Sequence, residues 1–242
     1  MAQNSVTRFL KGAYQSGTPI MAVSPVRSLV KSILKHADDF AWSLQGFGML
    51  RLHVDNTRVH VWDDRYAVPN VSVIHDHLQW ALRSTIMSGA LMNILYDETP
   101  RLPRKRKLQA EGWTEKELRQ MHYLPYNMSE ILAGPGGGMR SEPKRVWLME
   151  RQLTRYEVGE TYVQNPSRIH ESRPARGTVT LMEKFPTATD LARVFWPEGT
   201  DWVSAEPRPA TLKEIEDITG YALSQWDAKT PNIPWHNEKA RQ

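Results

Sequence analysis

The sequence predicts a mainly β fold, a β-sandwich or barrel with one helix near each end. From Met49 onward, short runs rich in β-branched and aromatic residues are separated by turn residues such as Asp55-Asn56, which is the texture of an all-β domain. The two longest stretches with helical periodicity lie near the ends, Pro25 to Leu44 and Leu212 to Trp226. With 242 residues the chain is long enough for a single domain with a full core, and we assign residues 1–242 to one domain.

The first helical stretch has apolar residues at helical spacing, with Ser24 available as a cap and Pro25 in the first turn. We therefore expect an amphipathic helix over residues 24–45 that packs against the sheet. The last stretch predicts a second helix over residues 211–228.

The predicted strands form two groups, residues 49–96 and 145–185, as the two halves of the β-domain. The first group comprises Met49–Val54, Arg58–Trp62, Val71–Gln79, Ser84–Met87 and Ala90–Tyr96. The second group comprises Arg145–Tyr156, Thr161–Gln164, Ile169–Glu171 and Thr178–Lys184. Regular turn signals between such runs favour a closed or double-sheet architecture.

Residues 97–144 separate the two groups and are interpreted as a basic helical and loop insertion. The segment contains a predicted helix, Thr114 to Met121, and a glycine-rich hinge at residues 134–138. Its basic cluster consists of Arg104, Lys105, Arg106 and Lys107. Such a cluster is usually a solvated loop, but the nearby aromatic residues Trp113, Tyr123 and Tyr126 leave open a contact with an anion or a nucleic acid.

Composition excludes several classes of function. The chain has no cysteine, so disulfides, thiolate metal ligands and cysteine nucleophiles are ruled out, and any metal must bind through nitrogen and oxygen. It has no run of 18 apolar residues and no basic-then-apolar start, so we expect neither a membrane span nor export, and a cytoplasmic location. The net charge of +4 favours anionic partners only weakly.

His75 and His77 are the strongest candidate functional residues, together with His170. Alternate residues of a strand project to the same face, so His75 and His77 point together if Val71–Gln79 is a regular strand. A third imidazole from a neighbouring strand would complete a facial set of ligands with open positions opposite. The alternative is that all three are ordinary hydrogen-bonded polar residues.

Other polar residues near these positions are weaker candidates. Asp76 should face away from the two histidines that flank it. Arg58, His60 and Trp62 share one strand face, and we expect Arg58 and His60 on the solvent side with the intervening valines in the core. The sequence offers no partner for His53 or His122.

The combination of His75-Asp-His77 with Gly89, followed by Gly159, Pro166 and His170, resembles the two motifs of the cupin superfamily. The resemblance implies a jelly-roll barrel, the double-stranded β-helix. Two positions depart from the family pattern. The glutamate usually found four or five residues beyond the second histidine is replaced by Ala81 or Leu82, and the interval from Pro166 to His170 is one residue short.

A three-histidine site without a carboxylate is similar to that of the cysteine dioxygenase group of thiol dioxygenases. The stretch Arg51-Leu-His-Val-Asp55 resembles the family segment whose arginine binds the substrate carboxylate, which implies that role for Arg51; an ordinary surface salt bridge is the alternative. The family's Ser-x-His-x-Tyr relay would fall on Thr180, Met182 and Lys184, which cannot make the same hydrogen bonds.

The resemblance implies an Fe(II) dioxygenase that oxidises a small anionic substrate with O2, and a thiol is one candidate for that substrate. Zinc, nickel or manganese are alternative metals, and zinc with bound water would indicate hydrolysis or isomerisation instead. We expect Gln79, Glu171 or Asn165 to orient the imidazoles through hydrogen bonds. A third hypothesis is a binding module whose basic insertion contacts nucleic acid or a partner protein.

Overall fold

The structure is a computed structural model that describes residues 23–69, 71–99, 114, 123–132, 138–187, 189–204 and 206–228. The described residues form a mainly β protein with two α-helices, α1 (Val23–Lys35) and α2 (Leu212–Gln225), and a short 3-10 helix at Ala37–Asp39. Neither α-helix has the length and apolar character that crossing a membrane requires.

Thirteen strands are described, and all of their pairings are antiparallel. The first seven are β1 (Trp42–Gln45), β2 (Phe47–Val54), β3 (Thr57–Ala67), β4 (Ile74–His75), β5 (Trp80–Ser88), β6 (Ala90–Thr99) and β7 (Tyr123–Leu132). The others are β8 (Lys144–Glu157), β9 (Thr161–Gln164), β10 (His170–Pro174), β11 (Val179–Pro186), β12 (Leu191–Pro197) and β13 (Arg208–Pro209).

One sheet has seven strands in the order β13-β1-β2-β3-β11-β5-β9. One face of this sheet packs against both α-helices. Its alternate residues Leu50, Leu52, Val59, Val61 and Leu181 form a buried cluster with apolar residues of α1 and α2. Since side chains alternate along a strand, the residues between these face the opposite side of the sheet.

The other six strands form a closed barrel in the order β10-β4-β12-β7-β8-β6. A second buried cluster, which includes Ile74, Ile94 and Phe195, stabilises these strands. The turn from β5 to β6 requires Gly89: its φ is +76°, and a Cβ there would lie 2.9 Å from Cα of Thr178. The mainly β expectation with a helix near each end is therefore confirmed, and the barrel is consistent with a jelly roll.

The predicted N-terminal helix over residues 24–45 is wrong in its second half. Helix α1 ends at Lys35, and Trp42–Gln45 is strand β1, paired with β2 and β13. Trp42 and Leu44 are buried while Ser43 and Gln45 are half-buried, which is the alternation of a strand. Apolar residues at positions 40, 41 and 44 fit a helix and those at positions 40, 42 and 44 fit a strand, and pairing with β2 decides between the two.

The predicted strand Val71–Gln79 is also wrong in extent, because only Ile74–His75 is a strand. The backbone N–H of Asp76 donates to the carbonyl of Arg193 at 3.0 Å, but the backbone N–H of Arg193 donates to the carboxylate of Asp76 at 2.8 Å, so a side chain replaces the backbone acceptor of this second bond. The ladder between β4 and β12 ends at this point.

The interpretation of residues 97–144 as an insertion needs correction. Strand β6 continues to Thr99, and β7 (Tyr123–Leu132) is a barrel strand between β8 and β12. The analysis also missed β12, which pairs with β4 beside His75. Its signal was the run Val194-Phe-Trp196 before the turn residues Pro197, Glu198 and Gly199.

Candidate metal centre

Three imidazoles come together where β4 and β10 pair. His170 lies directly opposite His75 in the ladder, and His77 follows two residues after His75. The ring centroids of His75 are 4.8 Å from His77 and 4.6 Å from His170, and those of His77 and His170 are 5.2 Å apart. One ring nitrogen from each residue lies within 4.8 Å of the others. Three imidazole nitrogens this close together could hold a metal ion.

Backbone carbonyls fix two of the three rings. Nδ1 of His75 lies 3.0 Å from the carbonyl oxygen of Val73, and Nδ1 of His170 lies 2.9 Å from that of Arg168. With Nδ1–H donating to a carbonyl, Nε2 carries the free lone pair that a metal ligand needs. The two residues use the same local geometry, a bond to the carbonyl two positions earlier in the chain.

The environment keeps the three imidazoles neutral. Burial lowers the pKa of His75, and it lowers the pKa of His77 well below 6.5 together with the effects of the other two histidines. Burial, followed by His75, lowers the pKa of His170 to about 3. Neutral imidazole is the form that binds a metal, so no proton has to leave at neutral pH. No carboxylate of the described residues joins the cluster.

Asp76 lies outside the cluster, as the sequence suggested. Its side chain is fully buried and accepts from Nε of Arg193 at 2.6 Å as well as from the Arg193 backbone N–H. Arg193 also contacts Glu98 at 2.7 Å. This ion pair ties the end of β4 to β12 and so stabilises the segment that carries His75 and His77.

Aromatic side chains line the cluster toward the seven-stranded sheet. Phe47 of β2 stacks on His75, with ring centroids 5.7 Å apart and planes 13° apart. Trp80 stacks on His77, with centroids 5.1 Å apart. The guanidinium of Arg58 and the ammonium of Lys184 lie 5.0 and 5.3 Å from the centroid of the same Trp80 ring. Trp80 thus connects the histidines to cations of β3 and β11.

The face of the seven-stranded sheet opposite the helices is polar and faces these histidines. Arg51 pairs with His60, and His60 pairs with Thr180, across β2, β3 and β11. Trp80 contacts both Arg58 and His77, and Phe47 of β2 contacts His75, which places this face of the sheet beside the histidines. His60 is only 6% exposed, so the expectation that Arg58 and His60 face solvent is wrong. Both faces of this sheet are covered, and alternation alone cannot distinguish a polar interior from solvent.

Several buried polar atoms have no hydrogen-bond partner among the described residues. They are Nε of Arg58, Nε2 of His60, Nε1 of Trp62, Oε1 of Gln79, Nε1 of Trp80 and Oδ1 of Asn93. Buried polar groups are nearly always paired, and Trp80 contacts both His77 and Arg58, so the unpaired atoms of Trp80 and Arg58 indicate a site for water or a polar ligand beside the histidines.

The other predicted site residues lie in varied positions. Arg51 donates to Ser43 Oγ and Gln45 Oε1 at 3.3 and 3.4 Å. Glu171 accepts from Tyr96 Oη at 2.7 Å and from Arg173, and Asn165 is exposed. Gln79 is buried, and its Oε1 has no hydrogen-bond partner among the described residues. The described contacts thus pair Nδ1–H of His75 and of His170 with backbone carbonyls and not with these side chains, whose predicted orienting role stays a prediction.

Arg104, Lys105, Arg106 and Lys107, the predicted helix Thr114–Met121 and His122 lie outside the described residues, apart from Thr114 itself. Sequence reasoning missed Arg58, Lys184 and Trp80 as neighbours of the histidines. The sequence contained a signal for Arg58, which shares a strand face with His60 and Trp62; that face was interpreted as solvent-exposed.

Comparison with known protein families finds no family model that matches the chain, and comparison with curated proteins finds no match either.

Proposed function

We propose that the protein is a cupin-type mononuclear metal enzyme, an Fe(II) dioxygenase that oxidises a small anionic substrate with O2. The observation that carries this proposal is the carboxylate-free cluster of His75, His77 and His170. Three neutral nitrogen donors leave the charge of a divalent ion uncompensated, which favours an anionic substrate atom as a further ligand. When bound, ferrous iron would supply open coordination positions and the redox chemistry for O2.

The chain's own residues have the tasks of orienting ligands and binding substrate. The carbonyls of Val73 and Arg168 hold two imidazoles with Nε2 free. Phe47 and Trp80 cover the rings and limit the access of water. Arg51 is a candidate clamp for a carboxylate, because its hydrogen-bond partners Ser43 and Gln45 are neutral.

The test is elemental analysis of protein purified without added metal, beside His77→Ala produced in the same way. His36→Ala is the matched control, because His36 is exposed and lies outside the cluster. We expect near-stoichiometric iron in the wild type and in the control, and loss of it in His77→Ala. Oxygen uptake with small thiols and small organic acids then tests for the reaction.

Two other results of the elemental analysis would change or refute the proposal. Stoichiometric zinc or nickel that needs His77, with no oxygen uptake after iron loading, would replace oxidation by hydrolysis or isomerisation, for which zinc-bound water is the usual nucleophile. No metal in any sample, even after reconstitution, would refute a metal enzyme.

A further inference from the structure

Three cations lie along one diagonal of the polar sheet face. The residue opposite Arg51 is His60, two positions from Arg58, and the residue opposite Arg58 is Met182, two positions from Lys184. Diagonal neighbours in antiparallel strands are within reach of long side chains. We call Arg51, Arg58 and Lys184 the cation diagonal.

None of these three cations forms an ion pair among the described residues. Surrounding arginines show the contrast, because Arg83 and Arg193 each contact a carboxylate. Desolvation and the neighbouring Arg51 lower the pKa of Arg58 to about 9, and desolvation with Arg58 and Arg51 lowers the pKa of Lys184 to about 8. Like charges that lie close together and are partly desolvated destabilise the protein unless a bound anion compensates them.

Two further features indicate the side from which a ligand reaches the histidines. Trp80 lies between the cation diagonal and the histidines, since its ring contacts Arg58, Lys184 and His77. Burial decreases outward along the same face, from buried His60 to half-buried Arg58 and Arg51 and then to exposed His53. A ligand that reaches the histidines from this side passes the cation diagonal.

Arg58 is the better placed of the two arginines to hold a ligand near the histidines. Arg51 already donates to Ser43 and Gln45, whereas the buried Nε of Arg58 has no partner among the described residues. The guanidinium of Arg58 also lies 5.0 Å from the centroid of the Trp80 ring, which stacks on His77. Nε2 of His60, two residues from Arg58 on the same strand face, is another polar atom without a partner among the described residues.

We propose that the substrate carries two negative charges on oxyanion groups, and that Arg58 and Lys184 bind this dianionic part while the remainder reaches the three histidines. The inference rests on the proposed function for the reaction at the histidines, but anion binding by Arg58 and Lys184 needs no metal. A phosphate-like group and a pair of carboxylates share the required chemistry. A monoanion would leave most of the positive charge uncompensated.

The experiment measures anion binding to metal-free protein by titration calorimetry at pH 7 and constant ionic strength. Metal is removed with a chelating resin, because a soluble polycarboxylate chelator is itself a polyanion. The probes are sodium sulfate, sodium succinate, sodium acetate and sodium chloride. We expect sulfate or succinate to bind at least about tenfold more tightly than acetate or chloride. Preference for sulfate indicates a compact dianion, and preference for succinate indicates two separate carboxylates.

Three variants test the assignment. Arg58→Gln and Lys184→Gln should each weaken dianion binding about tenfold, and Arg58→Lys, which keeps the charge, should weaken it less. Arg145→Gln is the charge-matched control: Arg145 is exposed on β8, pairs with Glu198, and should leave binding unchanged. Urea unfolding of each variant establishes that it is folded.

Dianion binding no tighter than acetate binding would overturn the inference, as would folded Arg58→Gln and Lys184→Gln proteins with wild-type affinity. An equal loss in Arg145→Gln would also overturn it, because binding would then reflect net charge. These results are independent of the metal analysis. Anion binding together with an elemental analysis that finds no metal, even after reconstitution, would refute the metal enzyme alone. Stoichiometric iron in the elemental analysis, with no dianion binding to the metal-free protein, would refute only the dianion.

Discussion

The ammonium of Lys184 should lower the stability of the folded protein when no dianion is present, and Lys184→Met tests this. Desolvation and the charges of Arg58 and Arg51 lower its pKa from 10.5 to about 8. This difference of about 2.5 pH units, at about 1.4 kcal/mol per unit, corresponds to at most about 3.5 kcal/mol. Partial exposure reduces that value, and loss of the contact with Trp80 offsets part of it. We expect Lys184→Met to raise the unfolding free energy by about 1 kcal/mol at pH 7.

The pH dependence distinguishes this cause from improved packing. Below pH 8 the ammonium is charged in both the folded and the unfolded chain, so the folded chain carries the full penalty. Between pH 8 and 10.5 the folded chain loses this proton while the unfolded chain keeps it. The unfolded state then binds more protons, so the stability of the wild type rises with pH over this window. The advantage of Lys184→Met should therefore disappear by about pH 10.

The assay is urea unfolding of both proteins from pH 7 to 10 in buffers without sulfate, phosphate or dicarboxylates. Lys144→Met is the control, because Lys144 is exposed at the start of β8 and its replacement should change stability by less than about 0.5 kcal/mol at every pH. The reasoning is refuted if Lys184→Met is less stable than the wild type at pH 7, or if its advantage persists unchanged at pH 10.

Three further predictions concern the segment that carries the histidines and the fold around it. Asp76→Asn should cost about 3 kcal/mol in urea unfolding, because it breaks the buried pair with Arg193; a cost below about 1 kcal/mol would show that the pair is not structural. Gly89→Ala should cost more than about 1 kcal/mol by the same measurement, because its φ is +76° and Thr178 is too close; unchanged stability would contradict this. Adding Fe(II) under anaerobic conditions at about 100 times its Kd should stabilise the wild type by about 2.7 kcal/mol and leave His170→Ala unchanged; equal stabilisation would place the ion elsewhere.

Local patterns were sufficient for part of the fold and for the centre's histidines. The strand Arg58–Trp62 was predicted from its alternating polar and apolar residues and lies within β3, although β3 is buried on both faces there, and the helix Leu212–Trp226 corresponds to α2. Helix α2 also has a local start signal, since Thr211 and Glu214 form a capping box. These features depend on neighbours within a few residues, which is why the sequence alone predicts them.

Other elements could not be predicted because distant residues decide them. Trp42–Gln45 is a strand because β2 is available to pair with it, and the strand at Ile74–His75 is short because Asp76 binds Arg193 of β12. Long-range pairing overrides local propensity in such segments.

The sequence by itself determined that His75 and His77 are two residues apart in an apolar run, that a third histidine lies far downstream, and that any metal must bind without sulfur. Only the tertiary structure decided that His170 lies opposite His75, and that the polar face with Arg58 and Lys184 is turned toward the histidines. The physical reason is that side-chain alternation follows from the local backbone. Which face is covered, and by what, depends on strands paired across about a hundred residues of chain.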